Sequence, residues 1–378
     1  MKKIFYFGYY DTAENKSENR NFAPAATNKM SYIIAVLDKL GYDVEVFSAS
    51  QTLNKKRYPK KTVTLGERSR LHLFATLPWG NKIKQLLSRL YIRLQYRNFI
   101  IKNIGKDDTL IVYHSVPYSK FITRMKKKCG FKLVLEVEEI YADVNGREQD
   151  RAKEITIFNS TDAFIFPTEL LNKKLNTENK PYTIVHGTYK VEPDRGIKNS
   201  DGKIHVVYAG TFDPRKGGAF ASVGATKFLH QNYHLHILGF GNNENKRKIL
   251  EEIESANKNS SCKVTFDGLL SGEDYIQFLQ SCDIGLSTQN PEGDYNDTSF
   301  PSKILSYMAN GLRVVCVDIP AVRTSGIGEY MYYYNTQTPE EIAKAIKSIN
   351  LSDEYDSRAV IAKLDDGFIC ELKKLLGD

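Results

Sequence analysis

Apolar residues recur along this chain in two patterns, short solid runs and longer stretches with helical spacing, and the alternation between them occurs twice. In the first half Ile4–Phe7 is a solid run, Thr27–Leu40 has helical periodicity and stops at Gly41, and Asp43–Phe47 is the next run. This order predicts strand, helix, strand. Short runs at Thr109–Tyr113, Lys132–Val137, Ala163–Phe166 and Thr183–Val185 have the unbroken character of strands that a parallel sheet buries on both faces. Asn81–Ile104 predicts one long helix.

Val191–Lys203, rich in Pro, Gly, Asn, Ser and Asp, lacks any periodicity and predicts a linker. Beyond it the alternation restarts. Strands are expected at His205–Tyr208, His234–Leu238, Val264–Phe266, Ile284–Ser287, Arg313–Val317 and Tyr330–Tyr334. Helices are expected at Ala219–His230, Asn245–Asn257, Gly272–Ser281, Ser302–Asn310 and Pro339–Ile349. The predicted class is α/β, with two Rossmann-like doubly wound domains, 1–192 and 203–355, facing across a cleft. A last helix near Arg358–Leu376, within 356–378, crosses back to the first domain. Such sheets bind ligands at the carboxyl ends of their strands.

The length of 378 residues suits two domains, and 41% hydrophobic with 26% charged residues is a globular composition. No stretch approaches the ~18 apolar residues of a membrane span. The run after Met1-Lys2-Lys3 is too short for a secretion signal and leads into Asp11 without a cleavage site, so it reads as a buried strand. Five scattered cysteines without C-x-x-C spacing suggest neither a disulfide framework nor a zinc site, and so a reducing compartment. The net charge of +8 is uneven: residues 55–128 hold 19 Lys/Arg against 3 Asp/Glu, a local +16 that leaves −8 elsewhere.

Chemistry first suggests itself at Ala209-Gly210-Thr211-Phe212-Asp213-Pro214-Arg215-Lys216-Gly217-Gly218, between a strand and a helix. Glycine lets backbone approach a phosphate, a helix start offers N–H groups, and Arg215 and Lys216 can neutralise a diphosphate. The same pattern also occurs in ordinary solvated turns. At Phe300-Pro301-Ser302-Lys303 a helix begins with a lysine in its first turn, which opposes the helix dipole unless an anion is bound. A lysine snorkelling to solvent is the other reading.

Taken in order, these segments, with Leu238-Gly239-Phe240-Gly241, Val264-Thr265-Phe266-Asp267-Gly268-Leu269-Leu270, Cys282-Asp283-Ile284-Gly285-Leu286-Ser287 and Tyr307-Met308-Ala309-Asn310-Gly311-Leu312-Arg313, resemble the GT-B-fold retaining glycosyltransferases of group 1. The resemblance covers Ile204 to Ile349. It implies a nucleotide-sugar donor, a UDP-sugar, with Lys216 on the pyrophosphate and Gly210 and Thr211 beside it. Gly239, Phe240, Gly241, Leu269 and Leu270 would line the nucleotide, and Ser302 and Lys303 would contact phosphates or sugar. The family's usual arginine after the first glycine is Thr211 here, and its two glutamates eight residues apart match Thr298 and Ser306, the latter where the ribose is contacted. No metal or cofactor is expected.

The first half matches more loosely, as a domain for a variable saccharide or polyprenyl-linked acceptor. Its loop Tyr9–Ala26, with Tyr9, Arg20 and Asn21, is either an acceptor-binding loop or disordered. Glu138 falls where the family places a catalytic-site histidine, and could take a proton from an acceptor hydroxyl or simply end a strand at the surface. His114 and the His186-Gly187-Thr188 turn are weaker candidates.

Lys82, Lys84, Arg89, Arg93 and Arg97 alternate with Ile83, Leu86, Leu87, Leu90, Tyr91 and Leu94 at helical spacing beside the Lys55–Lys61 cluster. This suits attachment of region 55–128 to an anionic membrane, or a core-facing helix with a solvated basic face. No nucleic-acid recognition motif is present. The reading is a cytoplasmic glycosyltransferase at the inner face of the plasma membrane, in the surface-polysaccharide or capsule assembly of a bacterium. A catalytically silent scaffold and a nucleotide-sugar epimerase of the same build are the alternatives.

Overall fold

The solid apolar runs of the first half become neighbouring strands in the computed structural model of the protein, which describes residues 2–293, 296 and 298–377. The chain divides into two units, Met1–Val185 with Phe368–Asp378, and His186–Gly367.

The first unit is built on β1 (Lys3–Gly8), β2 (Asp43–Ser48), β3 (Lys61–Thr64), β4 (Ser69–Leu73), β5 (Thr109–Tyr113), β6 (Lys132–Glu136), β7 (Ala163–Phe166) and β8 (Tyr182–Ile184). They form one sheet in the order β3-β4-β2-β1-β5-β6-β7-β8. All neighbours are parallel except β3 and β4. That hairpin lies in the first part of the basic region, before Asn81, where no strand was expected. Its β3 alternates half-buried and exposed residues and so lacks a solid apolar run. A lysine-bearing, half-exposed edge is how natural sheets discourage further pairing.

The helix Lys82–Asn103 forms as predicted, with the Asn81 side chain accepting from Lys84 N–H as an N-cap. Its core face is not the row that the sequence pattern brings forward. Ser88, Ile92, Tyr96 and Ile100, four residues apart, are the buried ones. Tyr96 packs edge-on to Phe7, whose ring also meets Phe47 and Tyr118. Helices Ser119–Cys129, Glu148–Ser160 and Glu169–Leu175 complete the alternation between β5 and β8. The final helix, Ser357–Leu376, contributes its end to this unit. Phe368 stacks on Tyr32, Thr183 donates to Glu371, and Lys132 Nζ donates to Leu375 O.

The second unit holds β9 (Ile204–Thr211), β10 (Tyr233–Phe240), β11 (Lys263–Gly268), β12 (Ile284–Ser287), β13 (Arg313–Val317) and β14 (Met331–Tyr334). Their order is β11-β10-β9-β12-β13-β14, parallel throughout. The chain enters at β9, winds outward to β11, and returns to the other side of β9 at β12. The loops after β9 and β12 therefore diverge, leaving a ligand crevice at their carboxyl ends. In the first unit the reversal falls between β1 and β5. Among the described residues no helix is long and apolar enough to cross a membrane, and all five cysteines are free thiols.

Candidate active site

The reversal between β9 and β12 is held open by one side chain. Tyr307, fully buried in the helix Lys303–Ala309, accepts a hydrogen bond from Ala209 N–H on β9 and donates to Leu286 O on β12. Its ring fills the space beside Gly285, where a Cβ would lie 2.3 Å from the ring. Lys303 sits one helical turn before Tyr307, so the same anchor sets where its ammonium goes. Nζ lies 4.1 Å above the Tyr208 ring centroid, a cation–π contact.

Two glycines clear the ground around that ammonium. A Cβ at Gly210 would stand 2.9 Å from Lys303 Nζ. Gly239, opposite Gly210 in the β9–β10 register, has φ of 142°, and a Cβ there would lie 1.8 Å from Gly210 O. Only glycine fits. Phe240 and Leu269 follow at the ends of β10 and β11, 56% and 67% exposed, apolar side chains facing water beside a crevice. Gly241 and Thr211 are exposed and Leu270 is half-buried.

The electrostatics single out Lys303. Burial, and after it the nearby charge of Lys216, lower its pKa to about 7. Among the described residues no carboxylate pairs with it. The Lys216 side chain is exposed, and its backbone is fixed: Lys216 O accepts from Asn290 N–H and from the Gln337 side-chain amide. Lys303, with Lys216 as its like-charged neighbour, is the side chain of this crevice best placed to meet an anion.

Arg215 does not join them, which corrects the expectation that it shares the phosphate. Its guanidinium is 88% exposed and forked onto Asp213 two residues away. The Asp–Pro–Arg turn spends that charge locally. Ser302 precedes the helix, exposed and without a side-chain capping bond, and Ser306 lies 3.4 Å from the Tyr275 hydroxyl. Tyr208, Tyr275, Tyr307 and Gln337 were not foreseen. Tyr208 and Tyr307 lie in apolar runs that read as core, while Tyr275 and Gln337 reach the site from distant segments.

In the first unit the loop Tyr9–Ala26 is folded. Ala13–Glu18 forms a 3-10 helix and Arg20 bridges to Thr52. Arg20, expected to bind acceptor, is buried, paired with Glu18 and donating to Ser50 O and Phe74 O. Asn21 is likewise engaged, accepting from Gln51 N–H at 2.6 Å. These two residues hold the loop to the end of β2 and are corrected as acceptor ligands. Tyr9 packs against the Tyr118 ring, and burial raises its pKa.

Glu138 is partly exposed and ion-paired with the buried Lys29. Beside it Glu136 is fully buried and accepts from the Tyr6 hydroxyl, and burial pushes its carboxyl up to about 8. His114, packed at a tilt against the rings of Tyr141 and Phe158, is pushed down to about 4 by burial and is neutral at pH 7. His186 stacks on Phe300 at 4.4 Å in the second unit.

Two doubly wound sheets in tandem, one with a glycine-cleared cationic crevice where β9 and β12 part, define the GT-B glycosyltransferase fold. Residues 203–350, within the second unit, match the family model of the glycosyl transferases group 1. Solved structures extend the fold to the whole chain. A trehalose-6-phosphate structure from E. coli, bound with UDP-2-fluoro glucose, is 10% identical, with TM-score 0.70 and coverage of 100% of this chain and 99% of that one. Sucrose-phosphate synthase from Thermosynechococcus elongatus is 12% identical, with TM-score 0.66 and coverage of 99% and 98%. Anabaena HepE, in complex with UDP and glucose, is 11% identical, with TM-score 0.64 and coverage of 100% of both chains. No curated protein matches the chain by sequence.

Proposed function

We propose that the protein is a glycosyltransferase that binds a UDP-sugar on its second unit and transfers the sugar, with retention of configuration, to a saccharide or polyprenyl-linked acceptor taken by the first. The observation that carries this reading is Lys303, a half-buried cation without a described counter-charge, placed by Tyr307 beside Gly210. Lys303 and Lys216 hold the diphosphate. As the bond from the sugar's anomeric carbon to the diphosphate oxygen breaks, charge grows on that oxygen, and a preorganised cation in a partly dry site stabilises it there. Phe240 and Leu269 give the uracil and ribose apolar cover. Glu138 receives the proton of the acceptor hydroxyl.

The test is calorimetric titration with UDP, GDP and their sugars. Binding of one nucleotide, weakened about 100-fold or more in Lys303→Ala and in Lys216→Ala, supports the donor site. No binding by any nucleotide overturns it. A pH–rate profile unchanged in Glu138→Gln removes that residue as the base. Thr298 and Ser306, in place of the family's glutamates, favour a second reading, a nucleotide-binding scaffold without turnover. Binding of UDP-sugar that is never consumed, with any acceptor, selects it; consumption without an acceptor selects an epimerase.

We place the protein at an anionic membrane surface, in surface-polysaccharide assembly. In support, Ile83, Leu86, Leu87, Leu90 and Leu94 are 51–70% exposed on the face of Lys82–Asn103 away from its buried stripe. Lys82, Lys84, Arg89, Arg93 and Arg97 share that helix. Apolar side chains enter the headgroup boundary while lysine and arginine meet lipid phosphate. Co-sedimentation with vesicles containing phosphatidylglycerol, lost when Leu86, Leu87 and Leu90 become glutamine, is the expected result; binding that survives the change removes this helix as the anchor.

A further inference from the structure

At the opposite end of β9 and β10 from the donor crevice lie three histidines that the proposed reaction does not use. His205 and His234 stand directly opposite each other in the parallel register, and His236, two residues on, shares the face of His234. All three are buried. One ring nitrogen from each lies within 4.8 Å of the others. His205 is six residues from Thr211, about 20 Å along a strand, so this cluster is separate from the diphosphate site.

The hydrogen bonding around the rings leaves a specific gap. His205 Nε2 is 2.9 Å from Asp201 Oδ1, and His236 Nδ1 is 3.1 Å from Asp267 Oδ2, which also accepts from Thr265 Oγ1. A carboxylate only accepts, so each ring places its N–H on its carboxylate. The remaining nitrogens, His205 Nδ1 and His236 Nε2, then face each other at 2.9 Å with lone pair towards lone pair. Such a contact is stable only with a positive centre between them. His234 supplies a third nitrogen, its ring centroid 3.9 Å from that of His236.

We propose that His205, His234 and His236 bind one divalent transition-metal ion of the zinc class. The carboxylates behind two of the rings are the arrangement that fixes the tautomer of metal-bound histidine and raises its basicity. Tetrahedral zinc with nitrogen at about 2.0–2.1 Å sets its ligands roughly 3.3 Å apart. The His205–His236 pair opens by a few tenths of an ångström and His234 moves inward, both within side-chain adjustment. Neutral imidazoles with no thiolate suit zinc, cobalt, nickel or copper rather than magnesium or calcium. Cysteine spacing gives no sign of it, because the ligands come from two strands brought together by the sheet. The ion ties β9 to β10, and through Asp267 to β11, so its role is to hold the donor-binding sheet.

The test uses the full chain, stripped with chelator and titrated with Zn²⁺ and Co²⁺ in the absence of nucleotide. One ion per chain is expected, with tetrahedral ligand-field absorption for Co²⁺ and a thermal midpoint raised by about 5 °C at saturating Zn²⁺. His236→Gln should abolish both signals. Asp201→Asn, at the surface end of the cluster, should weaken the affinity about 10-fold and does not threaten folding. UDP affinity measured apart from metal should be unchanged in Asp201→Asn. No ion bound, or an affinity indifferent to both substitutions, overturns the proposal and leaves a shared proton between His205 and His236.

Discussion

The two units use the same architecture and treat their charged residues in opposite ways. In the first, charged groups near the β1–β5 reversal are engaged from within: Glu138 by Lys29, Arg20 by Glu18 and two carbonyls, and Glu136 by Tyr6 at Oε2, its Oε1 being buried without a hydrogen bond. In the second, Lys303 is held above Tyr208 with space cleared by glycine and with Lys216 as its charged neighbour. A buried charge that is paired is costly only when its partner is removed, whereas one placed near a like charge is costly until a ligand arrives. The difference separates a unit whose charges are engaged internally from one that keeps a lysine beside a second lysine.

The sharpest way to break this contrast is at Gly239. Gly239→Ala puts a methyl group 1.8 Å from Gly210 O, so the ends of β9 and β10 must part. A loss of about 4 kcal/mol in denaturant unfolding and of nucleotide binding is expected. Retained stability would mean the two glycines are not in contact. Next comes a pair of arginines. Arg20→Leu leaves Glu18 to Lys61 alone and strands the Ser50 and Phe74 carbonyls, and should cost about 2 kcal/mol. Arg215→Ala, at the surface, should change stability by less than ~0.5 kcal/mol and leave UDP affinity nearly unchanged. A large loss of affinity in Arg215→Ala would return it to the phosphate site.

Lys303 sharpens the comparison through pH. Its ammonium is charged below about 7 in the free protein, and a bound diphosphate raises its pKa. Binding above pH 7 must therefore take up a proton, and UDP affinity should fall towards tenfold per unit as pH rises from 7 to 9. The slope should vanish in Lys303→Met. The smallest effect is at Glu136, whose carboxyl is pushed up to about 8, first by burial. A raised carboxyl favours folding fully below the unfolded pKa near 4.5 and loses that contribution as pH rises through 8. Glu136→Gln mimics the protonated form, so it should cost under ~1 kcal/mol at pH 7 and close the gap to the parent, or pass it, by pH 9. A constant difference between pH 6 and 9 would show that Glu136 does not titrate there.

Much of this was legible in the chain. Solid apolar runs located twelve of the fourteen strands among the described residues, because a strand covered on both faces leaves that mark whatever its neighbours. The hairpin β3–β4 escaped because its outer strand is half-exposed. The glycines at 210 and 239 and the lysines at 216 and 303, singled out by pattern, do lie together in the fold. Arg20 and Arg215 show the limit. An arginine in a loop reads alike whether it awaits a ligand or already holds a neighbour, and only its distance from Glu18 or Asp213 separates the two.

The apolar row of Lys82–Asn103 makes the same point for surfaces. Periodicity places Leu86, Leu87, Leu90 and Leu94 together, yet the core takes Ser88, Ile92, Tyr96 and Ile100. Which stripe is buried depends on the direction from which the helix meets the sheet. By itself, then, the sequence determined the order of elements, the doubly wound class and the glycines and lysines that meet at the β9–β12 crevice, all of which follow from local pattern. The tertiary structure alone decided which charges are already paired, that Tyr307 positions Lys303, and that His205, His234 and His236 meet, because each depends on distances between segments that the chain order leaves open.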